Sequence, residues 1–151
     1  MATNTYMNIA HPNARGTGAA LRLELIPAEK DRPGSLHFTL APQKTRTVGF
    51  CWGRESLEMY LSPVEAAEFL MVLRGHTESI EDGKGIYWRD ETSSKVFKAC
   101  HAIEPLPGYV ISITEAEHGG DPRQVSIRLT PAEGIALEAA ITGGMKEMMF
   151  G

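Results

Sequence analysis

The stretch Leu61–Leu70, LSPVEAAEFL, is written again at Leu129–Ala140 as LTPAEGIALEAA. In each, a strand-compatible leucine leads into Ser62 or Thr130, then Pro63 or Pro131, then Glu65 or Glu133. A Ser or Thr hydroxyl can accept a hydrogen bond from the backbone N–H three residues on. A Glu at that third position can reach back to the capping residue's own N–H, and proline fits the first helical position because the N–H it lacks would be unpaired there anyway. Two strand-to-helix junctions are therefore predicted. Setting Ser62 against Thr130 also pairs Leu57 with Val125, Met59 with Ile127, Leu61 with Leu129 and Gly75 with Gly143.

Upstream the echo is fainter but keeps its order. ALRLELIP ends at Pro27 and KVFKACHAIEP ends at Pro105, and each is followed by a strand led by glycine, GSLHFTL from Gly34 and GYVISIT from Gly108. Period-2 alternation predicts half-buried strands at Leu21, Leu23, Leu25, at Leu36, Phe38, Leu40, at Val48, Phe50, Trp52 and at Leu57, Met59, Leu61. These lead into a helix that turns Val64, Ala67, Leu70 and Met71 to one side, with Phe69 and Leu73 widening the stripe, and that stops at Gly75. After the polar bridge HTESIEDGKG, strands are predicted near GIYWRD, KVFKACHAIEP, YVISITEAE and RQVSIRLT, then a helix from Pro131 toward Met149. The fold class is α+β: two pseudo-symmetric ββββα repeats, with antiparallel sheets packed with two helices. Each half alone would leave a sheet face and a helix stripe uncovered, so the halves are expected to share one core. The predicted organisation is a flexible leader at 1–18 and a single domain at 19–151 made of repeats at about 19–75 and 84–149.

Composition narrows the function classes. The 151 residues suit one compact domain, and 42% hydrophobic against 23% charged residues provide for a real core. A formal net charge of −4 supplies no global attraction to phosphate, so any nucleic-acid surface must be a local patch. Cys51 and Cys100 lack the spacing of a zinc site or a disulfide framework and suit a reducing cytoplasm. Neither a signal-peptide core nor an apolar run of membrane-span length is present, so a soluble intracellular protein is expected.

Two ββββα halves in tandem resemble the Whirly family and its relatives, the PUR-repeat proteins and the kinetoplastid guide-RNA-binding proteins. The likeness is strongest from KVFKACHAIEPLPG through YVISITEAE to RQVSIRLTPAEGIALEAAI. ARGTGAALRLELIP in turn is similar to the Whirly lysine-glycine-lysine-alanine-alanine-leucine signature. Arg15 and Gly16 stand for its first lysine and glycine, Thr17 and Gly18 replace the second lysine with an extra residue, and Ala19, Ala20 and Leu21 close it. Across residues 14 to 145 the resemblance implies sequence-tolerant binding of single-stranded nucleic acid, DNA or RNA, by a homo-oligomer. It further implies a tetramer with the helices packed at its centre.

Single strands are held by cations on phosphate and by aromatic rings on which bases stack. Two runs combine both. QKTRTVGFCWGR carries Lys44, Arg46 and Arg54 around Phe50 and Trp52 without an acid; Phe50 and Trp52 share the parity of Val48, so a core role competes with stacking. KGIYWRDETSSKVFK carries Lys84, Arg89, Lys95 and Lys98 around Tyr87 and Trp88, diluted by Asp90 and Glu91. Adjacent strand residues face opposite ways, so one of Tyr87 and Trp88 is expected in solvent. The same run also reads as an edge hairpin whose lysines discourage aggregation. The nucleic-acid candidates are Lys44, Arg46, Trp52, Arg54, Tyr87, Trp88, Arg89, Lys95 and Lys98, with Arg22, His37, Tyr60 and Arg128 as further polar-face positions.

Enzyme readings find little. GTGAAL precedes a strand, whereas a dinucleotide loop follows one, and Gly83-Lys84-Gly85 lacks the rest of a phosphate loop. The five histidines form no ligand pair, and His76 with Glu78 and Asp82 reads as a solvated loop. Cys100 and His101, neighbours on a strand, point apart and cannot form a nucleophile pair. No cofactor and no catalytic residue are expected. The alternative to nucleic-acid binding is an oligomeric scaffold of the same fold, with Met148, Met149 and Phe150 as its contact.

Overall fold

The computed structural model describes residues 5–44, 49–117 and 119–150. Two antiparallel four-stranded sheets each precede a helix. The first contains β1 (Thr5–His11), β2 (Ala19–Ile26), β3 (Ser35–Pro42) and β4 (Leu57–Leu61) in that order, and α1 (Pro63–Leu73) follows. A single 3₁₀ turn at Ile80–Gly83 leads into β5 (Ile86–Arg89), β6 (Ser93–Ala102), β7 (Gly108–Glu117) and β8 (Arg123–Leu129), again in order, and then α2 (Pro131–Phe150). The repeated ββββα plan is present in both halves.

Both helix starts are built as the paired motifs predict. The Glu65 amide donates to Ser62 Oγ at 3.2 Å while the Ser62 amide donates to Glu65 Oε1 at 2.9 Å. Thr130 and Glu133 repeat the exchange at 3.2 and 2.8 Å. Residues separated by the repeat offset of 68 also meet, Arg74 Nη2 donating to Thr142 Oγ1 at 2.9 Å, and beside that contact Arg74 Nε donates to Glu138, one turn earlier on α2, at 2.7 Å. Contact between matching positions of the two copies places the pseudo-twofold relation between the packed helices.

One core serves both halves. Phe38 from the first sheet, Phe69 from α1 and Phe97 from the second sheet are fully buried and mutually in contact, with ring centroids 4.8 to 5.5 Å apart. Two of the three pairs are edge to face, the arrangement ring quadrupoles favour. Around them the inward rows Leu21, Leu23, Leu36, Leu40 of the first sheet meet Ile111, Ile113, Ile127 of the second. The end of α1 is closed from the second half: His101 Nε2 donates to the Val72 carbonyl at 2.7 Å and Tyr109 Oη to the Leu73 carbonyl at 2.9 Å. Helix-terminal carbonyls lack the usual intrahelical donor, so Tyr109 pairs that of Leu73, while His101 adds a second donor to that of Val72, which also accepts from the Gly75 amide at 3.0 Å.

Four details differ from the sequence reading. Residues 5–11, read as part of a flexible leader, form β1, paired along its length with β2 from Thr5↔Leu25 to His11↔Ala19. The strand expected at Val48–Trp52 is not one: Val48 lies outside the described residues, and Phe50 makes only an isolated bridge to Gln43. The buried stripe of α1 is Ala66, Phe69, Leu70, Val72 and Leu73, while Val64 and Met71 face out. The helix is sandwiched against β3 and β6, and that placement sets its phase. Finally, Gly75 ends α1 with φ of +78°, but its counterpart Gly143 lies inside α2. The α2 end is instead held by the loop at 28–34, whose Ala28 and Gly34 amides donate to the Glu147 and Met148 carbonyls.

Candidate nucleic-acid interface

Strand parity sorts the candidates onto two sides of the second sheet. Ile86, Phe97, Ile113 and Val125 form an inward row, so the next residues, Tyr87, Val96, Thr114 and Gln124, face outward. Continuing that parity, the outward face carries Arg89, Lys98 and Arg128 beside Tyr87, and no Asp or Glu. Tyr87 is 60% exposed. Arg89 and Lys98 are exposed and in no ion pair among the described residues. Arg128 is half-buried, its guanidinium donating to the Glu104 and Leu106 carbonyls.

Trp88 points the other way, beyond the end of the core. Its row runs Trp88, Lys95, Glu115, Arg123 across all four strands. Lys95 Nζ lies 5.4 Å from the centre of the Trp88 ring, within cation–π range, and 3.8 Å from Glu115. Arg123 Nη2 donates to Glu115 at 3.0 Å, and its Nη1 approaches the Arg54 carbonyl at 3.5 Å. That last contact brings the loop of the first basic-aromatic run against the sheet of the second. Arg54, Trp88 and Lys95 thus gather around Arg123, while Tyr87, Arg89 and Lys98 occupy the opposite face of the same hairpin.

The remaining candidates belong to the first sheet. Trp52 is half-buried with the Arg22 guanidinium 4.1 Å above its ring, so one face of the indole is already covered. Lys44 is exposed where β3 ends, its amide closing the loop by donating to Gly49. Arg46 lies outside the described residues. The outward face of this sheet is acid-laced: His37 sits between Glu24 (3.3 Å) and Glu58 (2.9 Å) and stacks flat on Tyr60, with ring centroids 4.1 Å apart. Partial burial, then the Glu58 and Glu24 carboxylates, raise the Tyr60 hydroxyl above its ordinary pKa.

Sequence reasoning missed Arg123, Glu115 and Tyr6, the last 60% exposed on β1. Arg123 and Glu115 meet only through the register of the β7–β8 hairpin, which no local pattern announces. Nor is the diluting acid Asp90 an obstacle at the surface. It closes the β5–β6 turn by accepting from the Ser93 and Thr92 amides, which hold its carboxyl below the usual range.

Chemistry of other kinds finds no assembled site among the described residues. Among the described residues no group of three His, Cys, Asp or Glu side chains could hold a metal ion. Cys51 and Cys100 are free thiols. Cys51 is raised above its usual pKa, chiefly by a hydrogen bond with Glu55, the reverse of what a nucleophilic thiolate needs. His101 is engaged in capping α1. No helix among the described residues is long and apolar enough to cross a membrane.

No protein-family model matches the sequence, and no curated protein matches it. Solved structures do match. WHY1 from Arabidopsis thaliana aligns with a TM-score of 0.74 at 17% identity, covering 95% of this chain and 86% of its own. WHY3 from Arabidopsis thaliana gives 0.72 at 20% identity over 93% and 88%. The plant transcriptional regulator PBF-2 gives 0.68 at 19% identity over 98% and 84%. Nearly the whole chain superposes on nearly the whole of each, repeat for repeat, so the protein has the Whirly fold.

Proposed function

We propose that this protein binds single-stranded nucleic acid, most naturally DNA, with little sequence preference and without catalysis. The observation that carries the reading is the acid-free outward face of the second sheet, where Arg89 and Lys98 flank the exposed Tyr87 on a chain of net negative charge. Cations on a face cleared of carboxylates neutralise phosphate, and an exposed ring accepts any base because every base has a π face. Across the same hairpin, Arg54, Trp88, Lys95 and Arg123 supply a second cationic and aromatic strip. The resemblance to Whirly proteins points the same way.

The protein works as a homo-oligomer, a tetramer by that resemblance. Supporting this, Val64 and Met71 on α1 and Ile135 on α2 are apolar and solvent-facing, at 70%, 44% and 69% exposure. Such side chains gain by burial against another copy. Cytoplasmic action suits the free thiols.

The test is fluorescence anisotropy with labelled oligo-dT at low salt. Non-specific binding usually falls at dissociation constants of about 1 to 100 µM. Absence of binding at tens of micromolar protein rejects the reading. The scaffold alternative keeps the oligomer and loses the ligand. For it, Met149 and Phe150 are exposed, whereas Met148 is fully buried within its own chain and drops out as a contact. A complex made by Lys and Arg weakens steeply with salt, and an apolar contact between subunits does not. Light scattering with and without the oligonucleotide separates the two.

A further inference from the structure

We propose that Glu115 is a built-in competitor for phosphate, a carboxylate that occupies the cations of the Trp88 strip and sets how tightly a strand is held there. The inference rests on the nucleic-acid reading above and adds a regulating residue to it. Glu115 is the one acid in a row otherwise made of Trp88, Lys95 and Arg123, and it touches both cations, at 3.8 and 3.0 Å. Lys95 and Glu115 are each only 19% exposed, so their charges are less screened by solvent and salt than those of a surface pair. Arg123 is the more open partner at 49%, and Trp88 beside it is 43% exposed.

This arrangement has a mechanical consequence. A carboxylate with one oxygen toward the Lys95 ammonium and the other toward the Arg123 guanidinium, beside an exposed indole, stands where a phosphate of a strand stacked on Trp88 would sit. A strand entering the strip must displace that carboxylate, so the free energy of binding there is the difference between two anions rather than the whole of one. The outward face, with no acid, has no such competitor. One sheet thus offers a permanent phosphate track through Arg89 and Lys98, and a conditional one through Lys95 and Arg123. Arg123 also approaches the Arg54 carbonyl, so displacing Glu115 leaves the guanidinium still tethered near the strip.

Glu115→Gln keeps the side-chain shape and removes the competing charge. Its control is Glu117→Gln, two residues along β7 on the same side of the sheet. Glu117 is exposed and unpaired among the described residues, so this change subtracts the same charge without releasing a cation. With labelled oligo-dT, Glu115→Gln is expected to tighten binding about three- to tenfold at low salt. It should also steepen the slope of log affinity against log salt by about 0.7 to 1.4, the increment of one to two further phosphate contacts on a single strand. Glu117→Gln should leave the slope unchanged, and Arg123→Ala in the Glu115→Gln background should erase the gain. Equal slopes for the two glutamine variants, with wild-type binding intact, overturn the competitor role and leave the function standing. Failure of wild type and Glu115→Gln alike to bind overturns both, whereas binding by Glu115→Gln alone keeps the competitor role and overturns the permanent track through Arg89 and Lys98, and with it the function proposed for the wild-type protein. Thermal melts of each variant confirm that the compared proteins are folded.

Discussion

On the outward face of the first sheet, Glu24 and Glu58 bracket His37, and Tyr60 lies flat against the imidazole. On the outward face of the second, Tyr87 stands in solvent beside Arg89 and Lys98, and no acid shares the surface. The two faces come from the same repeat, so nothing in the architecture forces the difference. Inward positions that reach the common core answer to it and stay apolar in both copies. Outward positions answer only to what lies outside, and there the copies have diverged in charge. That divergence is the functional information the duplication carries.

The comparison breaks most violently if the halves are uncoupled. Phe97 belongs to the second sheet yet packs on Phe38 and Phe69 of the first half. Phe97→Ala should cost about 3 to 5 kcal/mol, the usual range for emptying a buried phenylalanine site. Because the lost contacts are shared, urea unfolding followed separately by Trp52 and Trp88 fluorescence should move to lower denaturant for both probes together. A shift confined to Trp88 would show two independent units.

A second difference between the copies lies at the helix-strand contact. Tyr109 on β7 packs on Gly134 of α2, where an added Cβ would come within 2.2 Å of the ring. Strand register sets Tyr109 against Leu36 of the first copy, each opposite the leucine that ends its sheet, and the repeat offset sets Gly134 against Ala66. A tyrosine ring facing glycine and a leucine facing alanine are two solutions to one volume constraint. Gly134→Ala alone should therefore destabilise by about 1 to 3 kcal/mol through overpacking. In a Tyr109→Leu background, the residue the first copy uses, the same change should be neutral or stabilising by up to about 1 kcal/mol, as alanine favours helix over glycine. A double-mutant cycle by chemical denaturation gives the coupling, and simple additivity would refute it.

The functional contrast is sharpened by neutralising one cation on each face. Lys98→Gln should lower the salt slope of oligo-dT binding by about 0.7 and weaken affinity a few-fold, since Lys98 has no anionic partner among the described residues. Arg22→Gln should leave the slope nearly unchanged, because that guanidinium is engaged with Trp52 and Asn8. Equal effects would place the strand on both sheets and dissolve the distinction.

How much of this the amino-acid order declares follows the range of each interaction. The capping boxes at Ser62 and Thr130 are local, so spacing alone reveals them. β1 was hidden because TYMNIAH alternates weakly, yet the echo held the clue: ALRLELIP matches the second strand of the later half, which leaves a first strand to be found upstream. The run Val48, Phe50, Trp52 misled for the opposite reason. Its alternation is clean, but Trp52 packs on Arg22 from a loop instead of joining the ladder. At the candidate site, parity tells that Tyr87 and Trp88 part company across β5. That Glu115 meets Arg123 depends on hairpin register, a property of two strands together, and so stays invisible until they are paired.

The smallest expected effect concerns the helix caps, which the copies share in plan and differ in support. Glu133 receives a contact that Glu65 lacks: His11 Nε2, at the end of β1, lies 2.8 and 2.9 Å from its carboxylate oxygens. Burial alone would raise the Glu133 carboxyl, but the hydrogen bond from the Thr130 amide and the bond and charge of His11 outweigh it and hold it below the usual carboxylate range. A carboxyl depressed by folding contributes stability that is complete above the unfolded pKa and is lost as pH falls through the folded one. Acid should therefore erode stability as pH drops below about 4.5, and Glu133→Gln should flatten that part of the profile of melting temperature against pH. His11→Ala should flatten it partially, because the Thr130 amide still holds the carboxylate. If His11→Ala leaves the acid limb unchanged, β1 is not coupled to the second helix through this pair, and the extra support of the second cap is removed from the comparison.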